Sequence, residues 1–371
     1  MNFIFLSIIL LSFVSANSQN NSSVYIQDYK IHETDTGKLF LQINNNNFIK
    51  NNEYFGPVVE GYTLLGFNLT PRLVYIPNSK LKLTTGANFL TYYGRENELE
   101  ASLLLSFQYK LHPNLDFVLG NIYGTVNHRL IDPLLNFERF LDDNIENGIQ
   151  FIWNSNRIFA DLWLDWEQQI IQNDPYQEKF NVGLSTNFLI IDKENYSISV
   201  PFQNLIRHEG GQINANNDEP LTTIFNNATG LSVTKPIESK FINNINLTTY
   251  IVNYQDLSPT KRQMYIDGTA NYTTLELSNS FFDFTVGYWY GEQYVAPIGN
   301  PIFESYSRTE FFVEEPIREL LIGKLNYQKN VFDGINLGVR FEGFYDLIGE
   351  NTDYTWTVMV VISEKFFLKN L

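Results

Sequence analysis

From residue 37 almost to the C-terminus, apolar and polar side chains alternate with a period of two, and helical periodicity is nearly absent. In "SLLLSFQYK", Leu103, Leu105, Phe107 and Tyr109 share one side, while Ser102, Leu104, Ser106, Gln108 and Lys110 share the other. The pattern predicts strands at about 37–45, 58–76, 80–93, 99–111, 115–123, 147–153, 158–170, 178–191, 196–202, 222–234, 240–254, 263–275, 281–290, 319–329, 335–346 and 354–366. That is about 16 strands, within a range of about 14–18. Many exceed the five or six residues usual in globular sheets and approach the nine to eleven that a tilted strand needs to cross a bilayer.

The connections carry a second signal. Tight turns at 77–79, 112–114, 154–157, 192–195, 234–239 and 331–334 join alternate pairs of strands. Among the intervening connections are long ones, at 124–146, 203–221 and 291–318. A meander across a slab, compact at one end and elaborated at the other, has this parity. The alternation then has one consistent reading: the apolar face points outward to lipid and the polar face lines the inside. The expected fold class is an all-β, closed, antiparallel up-and-down transmembrane barrel with short periplasmic turns and long extracellular loops. Tyr and Trp near strand ends (Tyr92, Tyr93, Tyr109, Trp153, Trp289, Tyr290, Tyr327) support it, because amphipathic rings settle at membrane interfaces. A soluble secreted sandwich shares the alternation, but not the slab-length strands or the loop parity.

Composition narrows the class further. The chain contains no cysteine, which excludes disulfides, thiol nucleophiles and thiolate metal sites. A net charge of −16 argues against nucleic acid as a partner. Residues 3–14 form an apolar run that ends in the small residues Ser15, Ala16 and Ser18. This run is too short to span a bilayer and reads as a secretory signal over residues 1–18. Residues 19–36 would follow as a periplasmic or lumenal segment, with the barrel over 37–371. The expected location is the outer membrane of a Gram-negative cell.

The signal, the strand rhythm and the segments at 51–67, 120–140 and 147–167 together resemble the porin-like outer-membrane barrels of Bacteroidota. The resemblance covers nearly the whole mature chain and implies a lumen, lipopolysaccharide as surroundings and the barrel assembly machinery as a partner. The C-terminus departs from the pattern, since "SEKFFLKNL" places Phe366 and Phe367 near the end but finishes on Leu371.

No phosphate loop, nucleophile elbow or paired-histidine metal motif occurs, so no cofactor, metal or catalytic residue is expected. On the inner face the alternation places Lys80, Lys82, Lys110, Asp161, Asp165, Glu167, Arg340, Glu342 and Asp346, a pore lining of mixed sign. Arg129, Asp132, Glu138 and Arg139 belong to a loop that could fold inward as a constriction. His128 and His208 open the two long loops on one rim. Arg129 and Asp132 flank the first, and Arg207 and Glu209 the second. The expectation is a non-enzymatic, porin-like channel for passive diffusion of small hydrophilic solutes, possible as a homo-oligomer. Two alternatives come from other classes: a barrel enzyme acting on envelope lipid at the long-loop rim, and a plugged barrel binding polysaccharide or exported protein.

Overall fold

The computed structural model describes residues 25–95, 99–210, 219–309 and 313–371. Sixteen antiparallel strands follow one another round a closed barrel. They are β1 (Lys38–Glu53), β2 (Thr63–Asn78), β3 (Leu81–Tyr92), β4 (Leu99–His112), β5 (Leu115–Asn121), β6 (Asn147–Asn154), β7 (Ile158–Gln168), β8 (Lys179–Lys193), β9 (Tyr196–Glu209), β10 (Thr222–Pro236), β11 (Asn244–Asp256), β12 (Asp267–Ser278), β13 (Phe282–Glu292), β14 (Ile317–Phe332), β15 (Ile335–Asp346) and β16 (Asn351–Asn370). β1 pairs with β16 from Lys38 opposite Asn370 to Glu53 opposite Tyr354, so the sheet has no edge. Closure satisfies the backbone groups that lipid cannot.

The expected facing of the strands holds. On β4, Leu103 is 90% and Leu105 72% exposed, against 2% for Leu104 and 1% for Gln108. On β15, Phe341 and Tyr345 face outward, while Arg340, Glu342 and Asp346 are buried inside. Several strands run further than the alternation indicates. β1 continues through the amide run Asn44–Asn47 to Glu53, because backbone pairing with both β2 and β16 does not depend on an apolar side chain. β9 extends to Glu209, so His208 and Glu209 lie on a strand end and not in a loop.

Parts of the chain enter the inside of the barrel. Residues 25–31 run within it: Asn127 Nδ2 donates to the Gln27 carbonyl (2.8 Å), Gln108 Nε2 to the Tyr29 carbonyl (2.8 Å), and the Tyr25 ring meets Phe137 and Phe140 edge-on. The 122–146 connection folds inward and carries a short helix, α1 (Arg139–Asp142), whose Leu141 is fully buried. Residues 293–309 run beside it, with Tyr294, Val295, Ile302 and Phe303 buried. The two loops bind each other: Tyr294 Oη donates to the Pro133 carbonyl (2.9 Å), Asn136 N to Ile298 O (2.9 Å), and Asn300 N to Asp132 O (2.9 Å).

One residue ties the inner loop to the wall. His128 is completely buried between Asp161 Oδ2 (2.7 Å from Nδ1) and Glu146 Oε2 (2.8 Å from Nε2), and its ring stacks on Trp163 at 3.6 Å. Trp163 in turn lies flat over Gly183 of β8, where an added Cβ would meet the indole at 2.0 Å. His128 therefore stands inside the barrel and not on the rim where the sequence suggests it. The cause is the inward fold of the 122–146 loop. Burial opposes the imidazolium charge, but the Glu146 and Asp161 carboxylates outweigh it and hold His128 at about 9, above the ordinary 6.5.

Two outcomes follow from this architecture. Leu105→Arg places a cation on the lipid face and is expected to cost about 2–4 kcal/mol, whereas Ser102→Arg, inward near the outer end, should stay within about 0.5 kcal/mol. Equilibrium unfolding in lipid vesicles measures both. His128, with its folded pKa raised, contributes stability that is complete below about pH 6.5 and lost as the pH climbs through about 9. Melting of the folded barrel should therefore fall between pH 7 and pH 10 in the native protein, and that part of the fall should vanish in His128→Gln.

Candidate functional site

Most of the charged residues expected on the inner face do stand there, but they are paired. Glu342 bridges Arg340 (2.8 Å) and Lys324 (3.0 Å), and Asp132 of the inner loop closes the group by binding Lys324 and Arg340 (3.2 Å). The Arg340 guanidinium also lies over the Phe137 ring at 4.2 Å. Glu138 binds Lys50 and Tyr62, and Arg139 bridges Asp143 (2.7 Å) and Glu167 (3.2 Å). Asp346 binds Arg318, Lys110 binds Asp116 (2.9 Å), and Asp165 accepts the Asn147 N–H (3.0 Å). Lys82 sits 5.2 Å from the centre of the Tyr123 ring, and Arg129 3.8 Å from that of Phe159. Lys80 departs from the expectation. It stands exposed in the turn between β2 and β3, because β3 begins only at Leu81. The Asp132, Glu138, Arg139 group is thus an anchor of loop to wall: desolvated pairs that fix one geometry.

The two rim histidines separate by their partners. Each ring nitrogen of His128 faces a carboxylate, which only accepts, so both nitrogens donate and no lone pair remains for a base. His208 is the opposite case. Its Nε2 lies 3.2 Å from the Gly210 carbonyl oxygen, which can only accept, so Nε2 carries the proton. Its Nδ1, 2.9 Å from Thr223 Oγ1, is then the acceptor of the threonine hydroxyl. A hydroxyl, a base and a third group that sets the tautomer of the base are the parts of an activated nucleophile.

The pair has a defined position. Residues 166, 180, 208 and 223 are successive cross-strand partners on β7, β8, β9 and β10. They share the outward face, since their neighbours Asp165, Asn181, Leu205 and Ile224 are the buried, inward ones. Trp166 stacks on Phe180 at 5.2 Å, and Phe180 on His208 at 4.6 Å, forming an aromatic row round the wall at the long-loop end. Past Thr223 the row continues to Leu257, whose N–H donates to the Thr223 carbonyl (2.8 Å) and whose side chain is exposed. Ser258 Oγ accepts the Thr223 N–H at 2.9 Å and is positioned by Asp256, whose Oδ1 accepts the Ser258 N–H at 2.8 Å. Glu209 points the other way, inward, and pairs with Arg207 at 3.1 Å.

Sequence reasoning singled out His208 but missed Thr223, Phe180 and Trp166. They lie 15, 28 and 42 residues away in the chain and meet His208 only through strand register. A usable signal exists: each is an outward-parity residue in the last turn of a strand pair at the long-loop end.

Comparison with known proteins gives the fold and the family. Among solved structures, a loop-deletion mutant of OmpT, an outer-membrane protein of Vibrio cholerae, is similar over 88% of this chain and 99% of its own, at 8% identity and a TM-score of 0.52. OprD, an outer-membrane protein of Pseudomonas aeruginosa, is similar over 93% and 97%, at 9% identity and a TM-score of 0.51. At such identities these likenesses show the fold alone, an outer-membrane β-barrel. A search of curated proteins found no match. A family model described as Lipid A 3'-O-deacylase-type matches residues 31–371. That description names an enzyme activity and corrects the expectation of a non-enzymatic barrel. With the match running from the inner N-terminal segment through all sixteen strands, the chain belongs to the Lipid A 3'-O-deacylase-type family.

Proposed function

We propose that this barrel is an outer-membrane acyl hydrolase that removes an ester-linked acyl chain from an outer-leaflet glycolipid of the lipid A class. The observation that carries the reading is the Thr223–His208–Gly210 arrangement on the outward face of the wall, at its long-loop end. The family description agrees in reaction class and substrate. Diffusion of solutes fits less well, since two loops and the N-terminal segment run through the interior and many of its charges are paired.

The chemistry follows from the hydrogen bonds. Thr223 Oγ attacks the ester carbonyl carbon while its proton passes to Nδ1 of His208, which the Gly210 carbonyl holds in the required tautomer. The tetrahedral intermediate collapses by breaking the carbon–oxygen bond to the sugar, whose oxygen takes the proton back from Nδ1. Water, deprotonated by the same nitrogen, then attacks the acyl-threonine. The fatty acid leaves and Oγ regains its proton. Trp166, Phe180 and Leu257 give the acyl chain an apolar wall beside the reacting carbonyl.

The test is release of free fatty acid from lipid A in mixed micelles, measured by mass spectrometry on the purified, folded barrel. His208→Ala is expected to lower kcat by roughly 10²–10⁴-fold, the usual contribution of a positioned acid–base group. Thr223→Ala should fall similarly, while Thr223→Ser, which keeps a hydroxyl on the same atom, should retain most of the rate. Unchanged turnover in His208→Ala would remove this pair from the mechanism.

A further inference from the structure

A second feature lies inside the barrel, independent of the outward-facing pair. On the inner face of β1 and β2 three cross-strand pairs follow in register: Gln42 with Arg72, Asn44 with Thr70, and Asn46 with Asn68. With Tyr25, Gln27, Phe140 and Asn144 they wall a cavity of about 220 Å³. Drug-sized ligands occupy roughly 300–1,000 Å³, so this space suits something smaller.

Two of its residues have buried polar atoms without a hydrogen-bond partner among the described residues. Asn46 is 7% exposed, and neither its Oδ1 nor its Nδ2 makes a hydrogen bond among the described residues. Arg72 is also buried. Its Nη1 donates to Gln27 Oε1 at 3.3 Å, its Nε has no partner, and no carboxylate of the described residues forms an ion pair with it. Elsewhere inside this barrel, buried cations are neutralised: Lys324, Arg340, Arg318 and Lys50 each hold a carboxylate. Arg72 is the exception, in a wall made mostly of neutral amides; the one carboxylate that lines the cavity, Asp28, is held by His32 at 3.0 Å and not by Arg72.

The chemistry of the missing partner is readable from these atoms. A guanidinium matches a carboxylate or phosphate. Side-chain amides, which both donate and accept, match hydroxyl groups, which do the same. The Tyr25 and Phe140 rings, 5.4 Å apart and edge-on, add an apolar side. Ser363, exposed and hydrogen-bonded to Asn44 at 2.9 Å, lies toward the end of β16 that carries the C-terminus, so the cavity faces the short-turn, periplasmic side.

We infer that the inner face of β1 and β2 binds a small, hydroxyl-rich molecule with a single anionic group, an acidic monosaccharide, entering from the periplasmic side. Arg72 holds the anion, and Asn46, with Asn44 and Gln42, holds the hydroxyls. The site is remote in kind from the lipid-facing pair and does not depend on the esterase reading.

Calorimetric titration of the folded, detergent-solubilised barrel tests this with glucuronate and glucose 6-phosphate as probes, and glucose and acetate as controls. Saturable binding of either probe, at least 10-fold tighter than both controls, is the expected result, and the better probe identifies the anion. Arg72→Gln should weaken that binding at least 10-fold and Asn46→Leu at least 5-fold, each in a barrel that still shows a heat-dependent gel shift. Should Arg72→Gln fail to fold, Asn46→Asp sets a carboxylate beside the anion site and should weaken binding by a similar factor. Acetate binding as tightly as the probes would reduce the site to an adventitious anion site. Absence of saturable binding by both probes, or binding indifferent to these substitutions, would overturn the inference.

Discussion

Everything in this molecule depends on backbone hydrogen bonds that cannot be left open in lipid. The pairing of β1 with β16 removes the only edges that a sixteen-stranded meander would otherwise expose. Once the sheet is closed, every strand has one side toward the interior and one toward lipid, and parity decides which residues can meet. Phe180, His208 and Thr223 become neighbours because β8, β9 and β10 are in register, and they share the outer face because each has the outward parity.

Closure also creates an interior that is either open or filled. Here it is partly occupied by residues 25–31 and by two inward loops, with Asp132, Lys324, Arg340 and Glu342 linking loop to wall. Removing such charges from water is expensive unless each is paired, and the mutual arrangement of four groups allows few alternative geometries. His128 contributes in the same way, as a cation held between two carboxylates. The wall that carries the outward pair is packed from behind, where Leu205 and Ile224 point into the interior clusters.

The two histidines show why residue type and loop position do not assign a role. Both flank long connections, and both have charged neighbours in sequence. His128 is surrounded by acceptors and is doubly protonated below about pH 9, whereas His208 has one acceptor on one side and a hydroxyl on the other. The difference comes from Asp161 and Glu146, which are 33 and 18 residues away from His128, and from Thr223, which is 15 residues from His208.

By itself the sequence determined the class and the topology. Period-two alternation over slab-length segments, with alternating short and long connections, admits few arrangements other than a closed membrane meander. The inward positions of Asp161, Arg340, Glu342 and Asp346 follow from counting, because side-chain direction in a strand is a local property with an exact period. What the tertiary structure decided is everything that depends on register and on loop path. Two loops and the N-terminal segment enter the lumen, Lys80 falls in a turn, His128 is carried to the wall by an inward loop, and Thr223 reaches His208. Alternation is blind to these outcomes, since a loop has no period and a cross-strand partner is chosen by pairing between segments distant in the chain. The same limit hid most of the groups of the proposed site: they are spread over four neighbouring strands, β7 to β10, and are gathered only by strand register.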